Sequence, residues 1–169
     1  MKRNKTQLTI ISLVLLKLGA CASVMESATN DMAANLSSAI MNQDDPETVR
    51  DGAPAYLLLL DSFIAGSPDN PAMLAAAAEL YAAYGVIFVA EPQRADRLTK
   101  RALTYGQQSL CASNKSACGI YTLNFQEFEI ALSKLDKKDA ASLYSFGLTS
   151  IAFIKVHSDD WGATVSYTH

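Results

Sequence analysis

Apolar positions recur three and four residues apart along most of this chain, and the strict alternation of a half-buried strand is almost absent. Met32, Leu36 and Ile40 are four apart and predict a short first helix, broken at 42–46. Asp45-Pro46-Glu47 then reads as a helix start, with Asp45 as the cap and proline in the first helical position. The run Arg50-Asp51-Gly52-Ala53-Pro54 predicts an interruption before the apolar segment 55–65. Gly66-Ser67-Pro68-Asp69-Asn70-Pro71 is the clearest turn in the chain. A helix over about 72–90 follows, with Leu74, Ala77, Ala78, Tyr81, Tyr84, Gly85 and Phe88 on one face. Pro92 opens the next, where Ala95, Leu98, Ala102, Tyr105 and Ser109 share a face and Arg94, Asp96, Arg97, Lys100 and Arg101 lie outside. Tyr121, Phe125, Phe128, Leu132 and Leu135 predict an amphipathic helix, ended at Lys137-Lys138-Asp139 with Asp139 as the next cap. The last helix runs to about His157, with Leu143, Phe146, Gly147, Ser150 and Ile154 on one face.

The expected fold is therefore all-α: about seven helices joined mostly by short antiparallel turns. Small and aromatic residues at the centres of consecutive helix pairs fit tetratricopeptide-like (TPR-like) hairpins, whose period is roughly 34 residues. Successive breaks at Pro68 and Cys111 are about 43 residues apart, which favours an irregular α-solenoid over a consensus array.

The first 20 residues do not belong to that pattern. Met-Lys-Arg-Asn-Lys is a charged leader, residues 8–16 are apolar, and Leu18-Gly19-Ala20-Cys21 has the form of a bacterial lipobox. Lys17 is one charge inside the apolar region. An ordinary signal peptide that carries a cysteine, or a membrane helix, are the competing readings. The run is far shorter than the roughly 20 residues needed to span a bilayer. The expectation is a lipoprotein signal peptide (1–20), a lipidated tether (21–29) anchored through Cys21, a helical domain (30–161) and an irregular tail (162–169). Ala22, and not Asp, follows Cys21, which favours the outer membrane over retention at the inner one.

Charge narrows the partners. Four of the chain's 14 cations (Lys2, Arg3, Lys5, Lys17) and none of its 17 acids lie in the leader. Ten cations against 17 acids leave the processed chain near −7. That opposes a nucleic-acid partner and polybasic attachment to anionic lipid. The processed length is ample for one hydrophobic core.

Cys111 and Cys118 are the remaining cysteines, separated by the polar stretch Ala-Ser-Asn-Lys-Ser-Ala. In an oxidising compartment this spacing predicts a disulfide closing a small loop, worth roughly 2.5 kcal/mol by chain entropy. No His-Glu-x-x-His, Gly-x-Ser-x-Gly or glycine-rich phosphate loop occurs, so neither an enzyme nor a cofactor is expected. His157, Asp159 and Asp160 could hold a metal, but such a cluster at a helix end is more often structural, and no metal is expected. Trp161, with Asp159 and Asp160, is either a core anchor beside a capping turn or a contact for a ligand or partner.

Several segments together resemble a known family. They are the lipobox, the block Asn42-Gln-Asp-Asp-Pro-Glu-Thr-Val-Arg-Asp-Gly-Ala-Pro-Ala-Tyr-Leu57, Ala76-Ala-Ala-Glu-Leu-Tyr-Ala-Ala-Tyr84, Arg101-Ala102 with Tyr105-Gly106, the Cys111–Cys118 loop, and His157-Ser-Asp-Asp-Trp161. The pattern resembles the T component of TRAP (tripartite ATP-independent periplasmic) transporters, the TatT lipoproteins. The resemblance implies a TPR-like accessory protein facing the periplasm, a homotrimer with a central pore. It implies a partner, the periplasmic solute-binding subunit, to which a hydrophobic or organic-acid ligand would be delivered. The alternative is a generic TPR-like envelope lipoprotein that scaffolds other proteins. Family chains continue with further helices past the segment matching Ser158–Trp161, whereas only eight residues follow Trp161 here. The expectation is a shortened or frameshifted copy whose last helix leaves Leu143, Phe146 and Ile154 without part of their packing, and which therefore self-associates.

Overall fold

In the computed structural model, residues 42–158 are described continuously, preceded by residues 28, 31, 32, 35 and 38–40. Five α-helices and three 3₁₀ turns make up the continuous part: α1 (Pro46–Gly66), α2 (Pro71–Ile87), α3 (Pro92–Ser113), α4 (Phe125–Leu132) and α5 (Ala140–Val156). Turns at Lys115–Ala117 and Ile120–Thr122 link α3 to α4, and one at Lys137–Asp139 leads into α5. No strand occurs among the described residues. The fold is all-α and built of packed helical hairpins.

Three helices start in the same way. Proline occupies the first position of α1, α2 and α3, and the residue before it caps the helix through its side chain. Asp45 accepts from the Glu47 N–H, Asn70 from those of Ala72 and Met73, and Glu91 from those of Gln93 and Arg94.

The interruption expected at 50–54 is absent. Helix α1 runs through Pro54, which sits in its interior. Interior proline costs about 3 kcal/mol, through a lost hydrogen bond and a ring clash. Against it stand Leu57, Leu60 and Ile64, all buried on the stripe that begins at Ala53. At about 1.5–3 kcal/mol each, their burial outweighs the proline. The stripe packs on α2.

Helix α2 lies at the centre, with α1, α3 and α5 around it. Met73, Leu74, Ala77, Ala78, Tyr81, Ala82 and Tyr84 are all buried, so it is covered nearly all round. Its small residues set the spacing. A Cβ on Gly85 would lie 3.2 Å from the Leu98 Cβ, so α2 and α3 touch there through the missing side chain. Helix α3 buries a second set beyond the expected face, Thr99, Leu103, Gly106 and Leu110, because α5 covers that side.

The last two helices depart from expectation. Tyr121 belongs to a 3₁₀ turn and not to α4, which begins only at Phe125. A reciprocal capping box fixes that start: Asn124 accepts from the Glu127 N–H, and Glu127 accepts from the Asn124 N–H. On α5 the buried face is Ser142, Ser145, Phe146, Thr149 and Ala152, rotated from the apolar face that the sequence marks. Leu143, Gly147, Ser150 and Ile154 are only half-buried. Phe146 is not short of packing: it is 7% exposed, in a second core with Leu103, Leu110 and Ile120. The large apolar residues of α5 that are exposed are Tyr144 and Ile151.

The small, polar inner face of α5 works because every hydroxyl on it is bonded. Ser142 meets Ser109, which also donates to the Pro71 carbonyl, Ser145 donates to Glu79, and Thr149 donates back to the Ser145 and Phe146 carbonyls. No buried side-chain nitrogen or oxygen among the described residues lacks a partner. Asp139 precedes α5, but its carboxylate does not cap that helix. Fully buried, it instead accepts from Ser113, Asn114 and the Asp136 N–H, tying the end of α3 to the start of α5.

Candidate functional site

The apolar run 55–65 carries one carboxylate, Asp61, and three helices converge on it. The Tyr81 hydroxyl of α2 donates to Asp61 Oδ2 at 2.8 Å, and the Tyr105 hydroxyl of α3 donates to Oδ1 at 2.7 Å. Arg101, one turn before Tyr105, brings Nη2 to 3.4 Å from Oδ2. The two rings stand 5.9 Å apart, and the Arg101 guanidinium lies 5.4 Å from the centroid of Tyr81 and 5.8 Å from that of Tyr105. Asp61 thus has a carboxylate–hydroxyl contact to each neighbouring helix and a cation over the rings that flank it.

The electrostatics follow from this placement. Burial pushes the Tyr81 hydroxyl well up, and the hydrogen bond to Asp61 pushes it further. Tyr105 is raised for the same reasons in the same order. Both phenols therefore stay neutral donors, which a carboxylate acceptor requires. Arg101 is shifted up, first by Tyr105. Its side chain is still 53% exposed, so one side of the guanidinium faces solvent.

Further along α3 a cleft of about 420 Å³ opens against the end of α1. Ile64, Ala65, Pro68 and Ala112 give it apolar walls, and Tyr105, Gln108, Asp69 and Lys115 supply polar groups. Its size lies within the range of small-ligand sites. Tyr105 belongs to both features, so the Asp61 cluster holds one wall of the cleft in place.

Cys111 and Cys118 also meet at the cleft, where Cys111 is part of the lining. Their Cα atoms are 4.4 Å apart and their sulfurs are at bonding distance. Cys21, Asp159, Asp160 and Trp161 lie outside the described residues. His157 faces other partners than those weighed for a metal: Nδ1 donates to the Phe153 carbonyl at 2.8 Å and Nε2 lies 2.6 Å from Asp96 Oδ1. Among the described residues no group of histidine, cysteine and carboxylates could hold a metal ion. None of their helices is long and apolar enough to cross a membrane.

Asp61 was not singled out by sequence, and Tyr81 and Tyr105 read as core aromatics. The available signal was a lone carboxylate inside an apolar helical run, which must find a partner or face water. Which partner it finds is a matter of 20 and 44 residues of separation, beyond any local pattern.

The described residues form an all-helical scaffold of packed hairpins that carries a polar cluster and a cleft. The family follows from comparison of sequences: residues 42–168 match the family model for the TRAP transporter T-component. The match covers well over half of the chain, which therefore belongs to that family. No curated protein and no solved structure matches the chain significantly. The family is a transporter component and not an enzyme family, and membership implies association with other TRAP subunits in the cell envelope.

Proposed function

We propose that the chain is the accessory subunit that docks the periplasmic solute-binding subunit of a TRAP importer and handles its ligand, a hydrophobic molecule or an organic acid. The family match supports the transport role. The observation that carries ligand handling is the cleft beside Tyr105, with apolar walls for a hydrocarbon body and Lys115 and Gln108 for an acid end. A TRAP solute-binding subunit from the same organism is the partner to test. Biolayer interferometry of the two purified proteins should give saturable binding, and native mass spectrometry of the chain with medium-chain carboxylic acids should give one bound acid per chain. Absence of both would overturn the reading.

The anchor is part of the same proposal. Cys21 carries the lipid, Ala22 directs it to the outer membrane, and the helical domain faces the periplasm. Labelling cells with a clickable palmitate should mark the parent and not Cys21→Ser. Equal labelling of both would remove the anchor from the proposal.

A further inference from the structure

The processed chain is acidic, yet its cations are not spread evenly. Arg94, Arg97, Lys100 and Arg101 fall within eight consecutive positions of α3 and are four of the ten cations that follow the leader. They include three of the four arginines there, Arg50 being the other. Arg94, Arg97 and Arg101 are spaced three and four apart, so they share one face and span about 10 Å of helix axis.

Helix stability does not account for them. Arg94 lies in the first turn of α3, where the macrodipole is positive and a cation is disfavoured. Internal pairing takes up Lys100, which meets Asp96 at 2.9 Å one turn earlier, but leaves the arginines largely open. Arg97 reaches Glu91 only at 3.9 Å, with its side chain 65% exposed. The Arg94 guanidinium has no carboxylate partner within 4.0 Å among the described residues; it lies over the Tyr84 ring, 5.7 Å from the centroid. Arg101 shares Asp61 with two tyrosines. Both end arginines are thus held on aromatic faces. That pre-positions their planar donor forks and lowers the ordering cost of meeting a carboxylate.

We infer that this arginine stripe is the docking surface for an acidic face of the partner protein. A stripe on the exposed side of a helix suits a protein surface, because small-molecule sites are concave. An anionic bilayer is the poorer occupant, since the rest of the processed chain repels it. The inference rests on the docking reading above and specifies which side of the chain makes the contact.

The test uses a TRAP solute-binding subunit from the same organism and three forms of the chain: parent, Arg94→Glu/Arg97→Glu, and the control Lys134→Glu/Lys137→Glu. Both variants change net charge equally, and all four side chains are exposed. The stripe variant should bind at least about tenfold more weakly, mainly through slower association, and should lose most of the salt dependence of the parent. The control should bind within about twofold of the parent. Circular dichroism melts of all three should agree. Equal binding by all three forms, or an equal loss in both variants, would overturn the stripe and leave the docking reading standing. No binding by the parent would overturn both. Retention of the parent and not the stripe variant by phosphatidylglycerol vesicles, with unchanged protein binding, would assign the stripe to lipid and overturn the inference.

Discussion

Gly106→Ala sets helix propensity against packing, and the two can be weighed from the structure. Alanine in a helix interior gains about 0.8–1 kcal/mol over glycine. The new Cβ on α3 would stand 2.5 Å from Thr149 Oγ1 and 3.2 Å from the Phe146 Cα of α5. Ordinary contact begins at 3.4 Å, so the hydroxyl must retreat by roughly 0.9 Å. It is fully buried and bonded to the Ser145 and Phe146 carbonyls, so moving it gives up about 1 kcal/mol of hydrogen bonding. The Phe146 contact is with backbone and no rotamer relieves it, so α5 itself must shift, at about 1–3 kcal/mol. Packing wins, for a net loss of about 1–3 kcal/mol and a Tm lower by about 3–10 °C. Gly52→Ala and Gly147→Ala meet nothing within 4 Å and should instead raise stability by about 0.5–1 kcal/mol each. Urea unfolding of the three variants checks the sign. A Gly106→Ala protein as stable as the parent would show that α3 and α5 are not packed this closely.

Asp61→Ala leaves two tyrosine hydroxyls without their acceptor and should cost about 2–4 kcal/mol in urea unfolding, with Asp61→Asn costing less. Asp139 is held at about 2, first by Asn114 and Ser113, below the roughly 3.9 of an unfolded carboxyl. A depressed carboxyl contributes fully above the unfolded value and loses that contribution as it protonates. The parent should therefore lose stability as pH falls from about 4 to 2, and Asp139→Asn should flatten that slope in acid unfolding curves. Non-reducing mass spectrometry of alkylated periplasmic protein should find Cys111 and Cys118 joined, and reduction should lower stability by at most about 2.5 kcal/mol; free alkylated thiols would contradict this. The form lacking residues 1–21 should self-associate through Tyr144 and Ile151, which are 64% and 66% exposed. Tyr144→Ser/Ile151→Lys should then sediment as a smaller, more uniform species in analytical ultracentrifugation.

Helix starts were the most legible part of this fold, for a local reason. Proline cannot donate and fixes φ, so Asp45-Pro46 and Pro92 announce themselves whatever the tertiary context. Pro54 carried the opposite message and lost, because the burial of Leu57, Leu60 and Ile64 is decided by α2 and not by the residues beside the proline. The buried face of α5 departs from its apolar face for a related reason. Hydropathy ranks Leu143 and Ile154 above Ser142, Ser145 and Thr149, but the close approach at Gly106 admits only small side chains, and hydroxyls that bond to α5 carbonyls, to Glu79 or to Ser109 carry no net polar penalty.

The candidate site was hidden by the same balance. Tyr81 and Tyr105 lie on the faces that periodicity assigns to the core, and the structure keeps them there. What changes their meaning is Asp61, a charge that burial would expel unless donors met it. Two phenols whose ionisation is pushed up by burial are suitable donors, and Arg101 above them supplies the opposing charge. The cluster therefore fastens α1 to α2 and α3 with polar contacts that have a fixed geometry, where apolar packing alone would permit sliding. A cleft and an arginine stripe both border it, and both inherit that fixed geometry through Tyr105 and Arg101. In the role proposed above, holding a partner and a ligand in register, rigidity at the junction of the two surfaces is the property that a change at Asp61 removes first.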